Sequence, residues 1–308
     1  MRIAFLFPGQ GSQYVGMGRE FYTSYKKMRE VFRQASQILD LDLKELCFEG
    51  PEEKLRKTIN TQPAIFTVSW GIYSILREKG IRCEVVAGHS LGEYTAMAAA
   101  GVMDYSAALK LVRRRAELMD EASRTVDGGM AAVIGLPKER VVSVCQKIGV
   151  EAVNFNSPLQ IVISGERKKI KEAVNILSQR GAKRVVFLPV SGPFHSSLMN
   201  KAAREFSQEL NKLSFSDPYC KIITNVFACY ALTADEVKEA LRKQLNHPVL
   251  WEDCMRRLLQ DGVELFIEVG PGKVLQGLMR RIDRKAHVLG VERPEDVEKL
   301  LTQIQRQV

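Results

Sequence analysis

The chain has 308 residues, of which 45% are hydrophobic and 26% are charged, and its formal net charge is +9. This length suits one large domain, or a large domain with a small insertion. The basic residues are interleaved with acids and not clustered with aromatic residues, so we expect no nucleic-acid groove; an acidic protein, a phosphate-bearing ligand or solubility alone would each account for the charge. No segment approaches the roughly 20 apolar residues of a membrane helix or resembles a signal peptide, so we expect a cytoplasmic protein without membrane contact.

The cysteines indicate a reducing environment. None of the six stands in a C-x-x-C pair, which argues against a zinc site and against a disulfide framework. We therefore expect reduced, mostly buried thiols and no metal.

Short apolar strands alternate with long helical patterns, which predicts an α/β fold whose parallel sheet is covered on both faces. The strands expected in this sheet span residues 3–7, 83–87, 222–225 and 265–269. A second pattern of strand, helix, strand, strand, helix and strand, typical of a ferredoxin-like unit, covers residues 130–134, 138–148, 150–154, 160–164, 168–179 and 183–190. We predict a large hydrolase-like α/β domain made of 1–127 and 191–308, an inserted ferredoxin-like subdomain of 128–190, and a cleft between them.

A glycine-rich loop, FPGQGSQ, follows the first predicted strand at residues 7–13. A dinucleotide-binding fingerprint would need glycine where Tyr14 stands, and a P-loop would need lysine where Met17 stands. Two interpretations are left open: a turn whose backbone N–H groups complete an oxyanion hole, or an ordinary connection.

A sharp turn is predicted at GHSLG, residues 88–92, between a buried strand and a helix over 91–100. The Gly-x-Ser-x-Gly spacing is that of a nucleophile elbow, in which the serine hydroxyl stands clear of the sheet. The helix would point its free N–H groups and positive dipole end at the place where a negative charge forms. Ser90 is therefore the candidate nucleophile.

Three consecutive arginines, 113–115, lie in a long helical pattern. The first two have acidic partners at helical spacing, which a solvated helix face explains. Arg115 instead shares the apolar stripe of Leu111 and Leu118. A buried guanidinium needs a carboxylate or a phosphate, and the spacing leaves open whether an acid of the chain or a substrate supplies it.

A serine nucleophile needs a base, and the chain offers four histidines: His89, His195, His247 and His287. His89 is adjacent to Ser90, so its side chain is expected to leave the elbow in another direction. His195 follows an apolar strand and a turn on the seam between the two predicted domains, which makes it the candidate base, with a structural hydrogen-bonding role as the alternative. No acid is evident to orient it, so we predict a Ser-His dyad whose second ring nitrogen bonds to a main-chain carbonyl.

Seven features, taken together, occur in the order and spacing of malonyl-CoA:acyl carrier protein transacylases, and this resemblance covers nearly the whole chain. They are FPGQGSQ (7–13), TQPA (61–64), GHSLGE (88–93), Arg115, NFNSP (154–158), PFH (193–195) and VGPG (269–272). A Gly-x-Ser-x-Gly pattern alone is a weak signal, whereas the whole set in register is specific.

The resemblance implies a ping-pong reaction without metal or cofactor. Ser90 would be acylated by malonyl-CoA and deacylated by the phosphopantetheine thiol of acyl carrier protein. His195 would act as base and acid in both half-reactions. The backbone N–H groups of Gln10 and Leu91 would form the oxyanion hole.

The resemblance also assigns residues that bind the substrate. Arg115 would clamp the malonyl carboxylate, because a planar bidentate donor matches a free carboxylate and disfavours acyl groups without one. Gln62 and Asn156 look like lesser residues of the cleft. Phe194 resembles its counterpart in malonyl-selective polyketide acyltransferases, where a large ring crowds a 2-methyl branch, so we expect malonyl to be preferred over methylmalonyl.

One departure concerns the carbonyl that orients the base. Many relatives carry glutamine in a Pro-Val-x-Trp stretch that supplies this carbonyl, and here the position is Leu250. We expect the Leu250 carbonyl to orient His195.

The expected function is therefore malonyl transfer to acyl carrier protein in fatty acid synthesis, by a monomer. A polyketide acyltransferase acting in trans would use the same residues. A serine acyl hydrolase is less favoured, because the H-G-G-G loop is absent and a hydrolase of neutral esters would have no use for a buried arginine at position 115. A non-catalytic scaffold that docks an acidic carrier protein would be unaffected by loss of Ser90.

Overall fold

Two β-sheets form the framework of this computed structural model, which describes residues 1–305. The strands are β1 (Ile3–Phe7), β2 (Val85–Gly88), β3 (Gly128–Ile134), β4 (Glu151–Ser157), β5 (Gln160–Glu166), β6 (Arg184–Phe187), β7 (Lys221–Ile223), β8 (Tyr230–Ala231), β9 (Leu265–Val269) and β10 (His287–Val291).

Helices cover the sheets. They are α1 (Arg19–Ser24), α2 (Lys26–Leu39), α3 (Leu43–Phe48), α4 (Glu52–Arg56), α5 (Thr58–Glu78), α6 (Gly92–Ala99), α7 (Tyr105–Thr125), α8 (Lys138–Ile148), α9 (Arg167–Gln179), α10 (Asn200–Asn211), α11 (Ala234–Gln244), α12 (Trp251–Gln260), α13 (Val274–Ile282) and α14 (Pro294–Gln305), with a 3-10 helix at Ser197–Met199. Within residues 1–305, no helix is both long enough and apolar enough to cross a membrane.

The larger sheet has the strand order β10-β9-β1-β2-β7-β8, and its neighbouring strands are parallel except for β7 and β8. The central strand β1 is buried along its whole length, as expected where both faces are covered. Phe5 and Phe7 pack into one apolar core, and Ala4 and Leu6 pack into another on the opposite face. The predicted parallel α/β architecture is confirmed.

The smaller sheet is antiparallel, with the strand order β4-β5-β3-β6. Along the chain its elements follow the predicted ferredoxin-like order, β3-α8-β4-β5-α9-β6. Helices α8 and α9 share an apolar core with one face of this sheet. The domain boundaries at 127/128 and 190/191 remain a prediction.

A short parallel bridge joins β4 of the smaller sheet to the segment before α12. The Val249 N–H donates to the Val153 carbonyl at 2.7 Å, and the Phe155 N–H donates to the Val249 carbonyl at 2.9 Å. These bonds fix the middle of β4 against the segment that leads into α12.

The loops that follow β1, β2 and β7 meet at the carboxyl edge of the larger sheet. Phe7 and Gly88 are directly paired at the ends of β1 and β2, and β7 is the next strand. The loops therefore bring Gln10, Ser90 and Asn225 to one edge, which is where open α/β sheets bind ligands.

Candidate active site

Ser90 lies in a sharp turn between β2 and α6, with a φ of +50°, a left-handed conformation that residues other than glycine rarely adopt. The flanking glycines are needed for close packing. A Cβ on Gly88 would lie 1.9 Å from the carbonyl carbon of Gly92, and one on Gly92 would lie 2.0 Å from the Phe7 carbonyl oxygen. Ser90 itself therefore adopts the positive φ, and the two glycines allow β2 and α6 to pack closely around it.

The turn is held by the side chain of Asn225, which lies in the loop after β7. Its Oδ1 accepts from the Ser90 N–H at 2.7 Å, and its Nδ2 donates to the Gly88 carbonyl at 2.7 Å. Two bonds from one amide therefore fix the backbone on both sides of His89.

Substitution of Gly92 tests this close packing. We expect Gly92→Ala to lower the free energy of unfolding by about 3 kcal/mol, because the added methyl meets backbone that cannot move aside. Gly277→Ala in the interior of α13 is the matched control: its Cβ would have open space, and we expect a gain of about 0.5 kcal/mol. Urea denaturation of both variants measures the difference; equal stability of Gly92→Ala and the unchanged protein would show that the packing argument is wrong.

His195 lies against Ser90 and is held by a main-chain carbonyl. The distance from Ser90 Oγ to His195 Nε2 is 2.8 Å, and that from Nδ1 to the Gln244 carbonyl oxygen is 2.8 Å. With Nδ1–H donating to that carbonyl, Nε2 is the acceptor for the serine proton. Burial of the imidazole and the charge of Arg115 lower the pKa of His195 to about 3, so the ring is neutral at neutral pH.

The orienting carbonyl belongs to Gln244, and the prediction that Leu250 supplies it is wrong. Leu250 is the residue before α12, and its carbonyl accepts the first helical hydrogen bond, from Cys254 N–H at 3.0 Å. The Leu250 carbonyl therefore already has a hydrogen-bond donor in the first turn of α12. Gln244 ends α11, where carbonyls lack helical partners and are available to other donors.

Arg115 lies on the buried side of α7, with 1% of its surface exposed. Its guanidinium donates only to neutral oxygens: Nη1 to Gln62 Oε1 at 2.8 Å, Nη2 to Ser90 Oγ at 3.0 Å, and Nη2 and Nε to Gln244 Oε1 at 3.1 and 3.3 Å. In the described part of the chain, no carboxylate lies within salt-bridge distance of it. A buried cation of this kind is stabilised by an anion that binds beside it, and here that place adjoins the serine hydroxyl.

Gln10 and Leu91 lie in the two loops that follow β1 and β2 at the same edge of the sheet. Gln10 follows β1 and Leu91 follows Ser90, and no hydrogen bond from either N–H to another group is found within residues 1–305. The Gln10 side chain donates to the Thr58 hydroxyl at 3.2 Å, which ties its loop to α5. The predicted role of these two N–H groups in an oxyanion hole stays a prediction.

Comparison with known proteins places this arrangement in a family. The model of the family described as "Acyl transferase domain" matches residues 4–307. The chain belongs to the acyl transferase family. It is 41% identical over 302 residues to the malonyl CoA-acyl carrier protein transacylase of Bacillus subtilis, a match that covers 96% of this chain and 95% of that protein.

Solved structures of acyl transferases have the same fold. An acyl carrier protein S-malonyltransferase from Vibrio cholerae superposes with a TM-score of 0.94 at 39% identity, covering 97% of this chain and 100% of that one. A malonyl-transacylase in complex with its type II PKS acyl-carrier protein superposes with a TM-score of 0.96 at 37% identity, covering 98% and 100%. The predicted family membership is confirmed.

Three further predicted residues have definite places in this acyl transferase. Gln62 is buried and accepts from Arg115, as described above. Asn156 lies near the end of β4, and its Oδ1 is 2.8 Å from His89 Nε2, so the His89 ring is bound to Asn156, whereas the Ser90 hydroxyl contacts His195 and Arg115. Phe194 directly precedes His195 and is 4% exposed.

The sequence interpretation missed three polar residues that organise this site: Glu93, Asn225 and Gln244. Gln244 alone touches the base, the guanidinium and, through Nε2 at 2.8 Å, the Ser90 carbonyl. A signal for it was present, since it continues the buried stripe of Val237, Ala240 and Leu241 on α11. The same reasoning that singled out Arg115 would have found it.

Proposed function

We propose that this acyl transferase moves a malonyl group from malonyl-CoA to the phosphopantetheine thiol of acyl carrier protein, through an ester on Ser90, in fatty acid biosynthesis. One observation carries the proposal: the buried Arg115 guanidinium, with only neutral partners in residues 1–305, lies 3.0 Å from Ser90 Oγ. A malonyl group on Ser90 would bring its free carboxylate to a planar bidentate donor. Relatives named malonyl CoA-acyl carrier protein transacylase support the assignment.

In the first half-reaction, Ser90 Oγ attacks the thioester carbonyl of malonyl-CoA while His195 Nε2 takes the hydroxyl proton. The Gln244 carbonyl holds the resulting imidazolium through Nδ1–H. The N–H groups of Gln10 and Leu91 stabilise the tetrahedral oxyanion. The carbon–sulfur bond then breaks, and the CoA thiolate leaves with the proton from His195.

In the second half-reaction, the phosphopantetheine thiol gives its proton to His195 Nε2 and its sulfur attacks the malonyl ester. The same two N–H groups stabilise the second oxyanion. The ester bond then breaks, and Ser90 Oγ recovers the proton from His195. The enzyme thereby returns to its starting state. Side chains and backbone groups of this chain supply all the proton transfers and charge stabilisation described, and we propose that no metal or cofactor takes part. In residues 1–305, no cluster of three or more His, Cys, Asp or Glu side chains could hold a metal ion.

We further propose how the chain is organised around this reaction. Residues 1–127 and 191–308 would form the catalytic domain, and 128–190 the inserted subdomain, with the acyl group bound between them near Asn156. The net charge of +9 suits an acidic carrier protein as partner. We propose a monomer in the cytoplasm, without a nucleic-acid or membrane partner.

Phe194 supplies a prediction on selectivity for the acyl group. We expect Phe194→Ala to raise the rate of methylmalonyl loading relative to malonyl loading by roughly 10-fold, because one methyl in an apolar pocket is worth about 1–3 kcal/mol. Single-turnover acylation with the two CoA thioesters measures the ratio. An unchanged ratio in the variant would show that the ring does not crowd the 2-position.

A second acceptor is a polyketide carrier protein. The observation that favours it is the likeness to a malonyl-transacylase solved with a type II PKS acyl-carrier protein. The acylation chemistry would be identical, so only the rates of transfer to the two kinds of carrier separate the alternatives.

The test of the proposed function is intact-protein mass spectrometry of the enzyme with malonyl-CoA and, in parallel, acetyl-CoA. We expect a malonyl adduct that disappears, with gain of the same mass on the carrier, when phosphopantetheinylated acyl carrier protein is added. A malonyl and an acetyl adduct of equal yield, each lost to water alone, would indicate the acyl hydrolase instead.

A further inference from the structure

Glu93 is a buried acid that the reaction above does not use. It lies in the first turn of α6, three residues after Ser90, and 2% of its surface is exposed. Its Oε1 accepts from the Asn225 backbone N–H at 2.9 Å, and its Oε2 accepts from the Gln244 side-chain amide. Both oxygens of this carboxylate therefore accept from residues that organise the site.

Each of these two partners contacts the reacting groups. Asn225 holds the Ser90 N–H and the Gly88 carbonyl through its side-chain amide, at 2.7 Å each. Gln244 holds Arg115 with its side-chain oxygen and His195 with its backbone oxygen. Glu93 is thus connected to the nucleophile, the base and the guanidinium through one intervening residue in each case.

Two acceptors fix which way the Gln244 amide points: the Glu93 carboxylate and the Ser90 carbonyl, which accepts from Gln244 Nε2 at 2.8 Å. A carboxylate only accepts hydrogen bonds, whereas a glutamine amide has an accepting and a donating end. With its NH₂ directed at Glu93 Oε2, Gln244 must present its oxygen to Arg115. A neutral amide in place of Glu93 removes the charged one of these two acceptors and can itself donate to Gln244. The reversed orientation, in which the Gln244 NH₂ and the Arg115 guanidinium face each other as two donors, is then less unfavourable.

The carboxylate also supplies the missing charge. No carboxylate of residues 1–305 contacts the Arg115 guanidinium, but Glu93 accepts from the NH₂ of the same Gln244 amide whose oxygen accepts from Arg115, so one side chain separates the two charges. We propose that Glu93 is the positioning residue of this site, an acid that orients Gln244 toward Arg115, holds Asn225 against the Ser90 turn and balances the guanidinium charge at one remove. This inference rests on the proposed function, because it explains how Arg115 is prepared for a malonyl carboxylate.

The proposal has a pH dependence of definite sign. Burial raises the pKa of Glu93 to about 7, so the orienting carboxylate is present above that pH and is lost below it. The charged and titratable groups that face it are Arg115, which stays charged, and Tyr94 and Cys254, whose pKa values burial raises. His195 is neutral in this range. Malonyl loading is therefore expected to rise between about pH 6 and about pH 8.

The experiment measures single-turnover malonyl loading across this pH range, on the full chain and on three variants. We expect Glu93→Gln to load about 100-fold more slowly, as displaced catalytic groups do, and without the rise near pH 7. Glu93→Asp keeps the charge and should retain the rise. Glu268→Gln is the matched control, because burial also raises the pKa of Glu268 to about 7 but its carboxylate binds the first turn of α13; this variant should keep both rate and rise.

The outcomes separate this inference from the proposed function. Loading by Glu93→Gln at the unchanged rate and pH profile, or loss of the rise in Glu268→Gln alone, overturns the positioning role. If the unchanged protein forms no malonyl adduct at any pH, the proposed function fails. The reaction of Ser90 with a fluorophosphonate then decides the inference: a slower reaction in Glu93→Gln supports the positioning role, and an equal rate overturns it. Thermal unfolding of each variant shows whether it is folded.

Discussion

Ser90→Ala is expected to abolish the acyl-enzyme and to reduce transfer to the carrier protein by at least about 10⁴-fold. The reason is geometric: the Ser90 hydroxyl is the nucleophilic group that lies 2.8 Å from His195 Nε2 and 3.0 Å from Arg115 Nη2. The neighbouring N–H groups and the guanidinium would still bind the substrate, but no ester could form. Intact-protein mass after incubation with malonyl-CoA measures the adduct directly.

The matched control is Ser191→Ala. Ser191 is an exposed serine in the turn before His195, and its hydroxyl is 3.5 Å from Thr58. We expect this variant to form the adduct at the unchanged rate. If Ser90→Ala also retained transfer, the thiol would attack malonyl-CoA directly, and the ping-pong scheme would have to be abandoned.

Strands and helices with strong local patterns were predicted closely, and one strand whose end serves the site was not. The bounds of β1, β9 and α8 are those expected from the apolar patterns. The strand predicted over 222–225 ends instead at Ile223. Asn225 leaves the sheet because its backbone N–H and its side chain bind Glu93 and the Ser90 turn, a tertiary demand that no local propensity encodes.

In the candidate site, features that depend on one helix were predicted, and contacts between distant segments were not. Helical spacing was enough to place Arg115 on a buried face, since only residues on the same helix enter that argument. It could not name the partners, because the bond from Arg115 to Gln244 joins residues 129 positions apart. The misassigned carbonyl of Leu250 has the same origin: the choice between the backbone oxygens of Gln244 and Leu250 depends on where α11 ends and α12 begins. Contacts of this range become visible only when the sheet brings its loops together.

Arg115→Ala is expected to invert the preference between malonyl and acetyl groups. Loss of the charged bonds to the malonyl carboxylate should slow malonyl loading by about 3 kcal/mol, or roughly 100-fold, whereas an acetyl group would no longer leave a buried cation without an anion. The ratio of malonyl to acetyl loading in single-turnover experiments is the measurement. Arg113→Ala, on the same helix, is the control, because Arg113 is paired with Glu117 at 2.8 Å near the surface and should leave the ratio unchanged.

Arg115→Ala also tests whether the arginine that selects the acyl group influences the pKa of the base, His195. The charge of Arg115 contributes to the lowered pKa of His195, so its removal raises that pKa. Protonation of Glu93 near pH 7 already slows loading on the acid side, so the titration of His195 is followed directly, by the NMR signals of its imidazole, and should move to higher pH in Arg115→Ala. A malonyl carboxylate on Arg115 would act in the same direction, since it offsets the positive charge. The carboxylate would thus make His195 more basic when the correct acyl group is bound. A His195 titration that stays at the same pH in Arg115→Ala would show that the guanidinium does not influence the base.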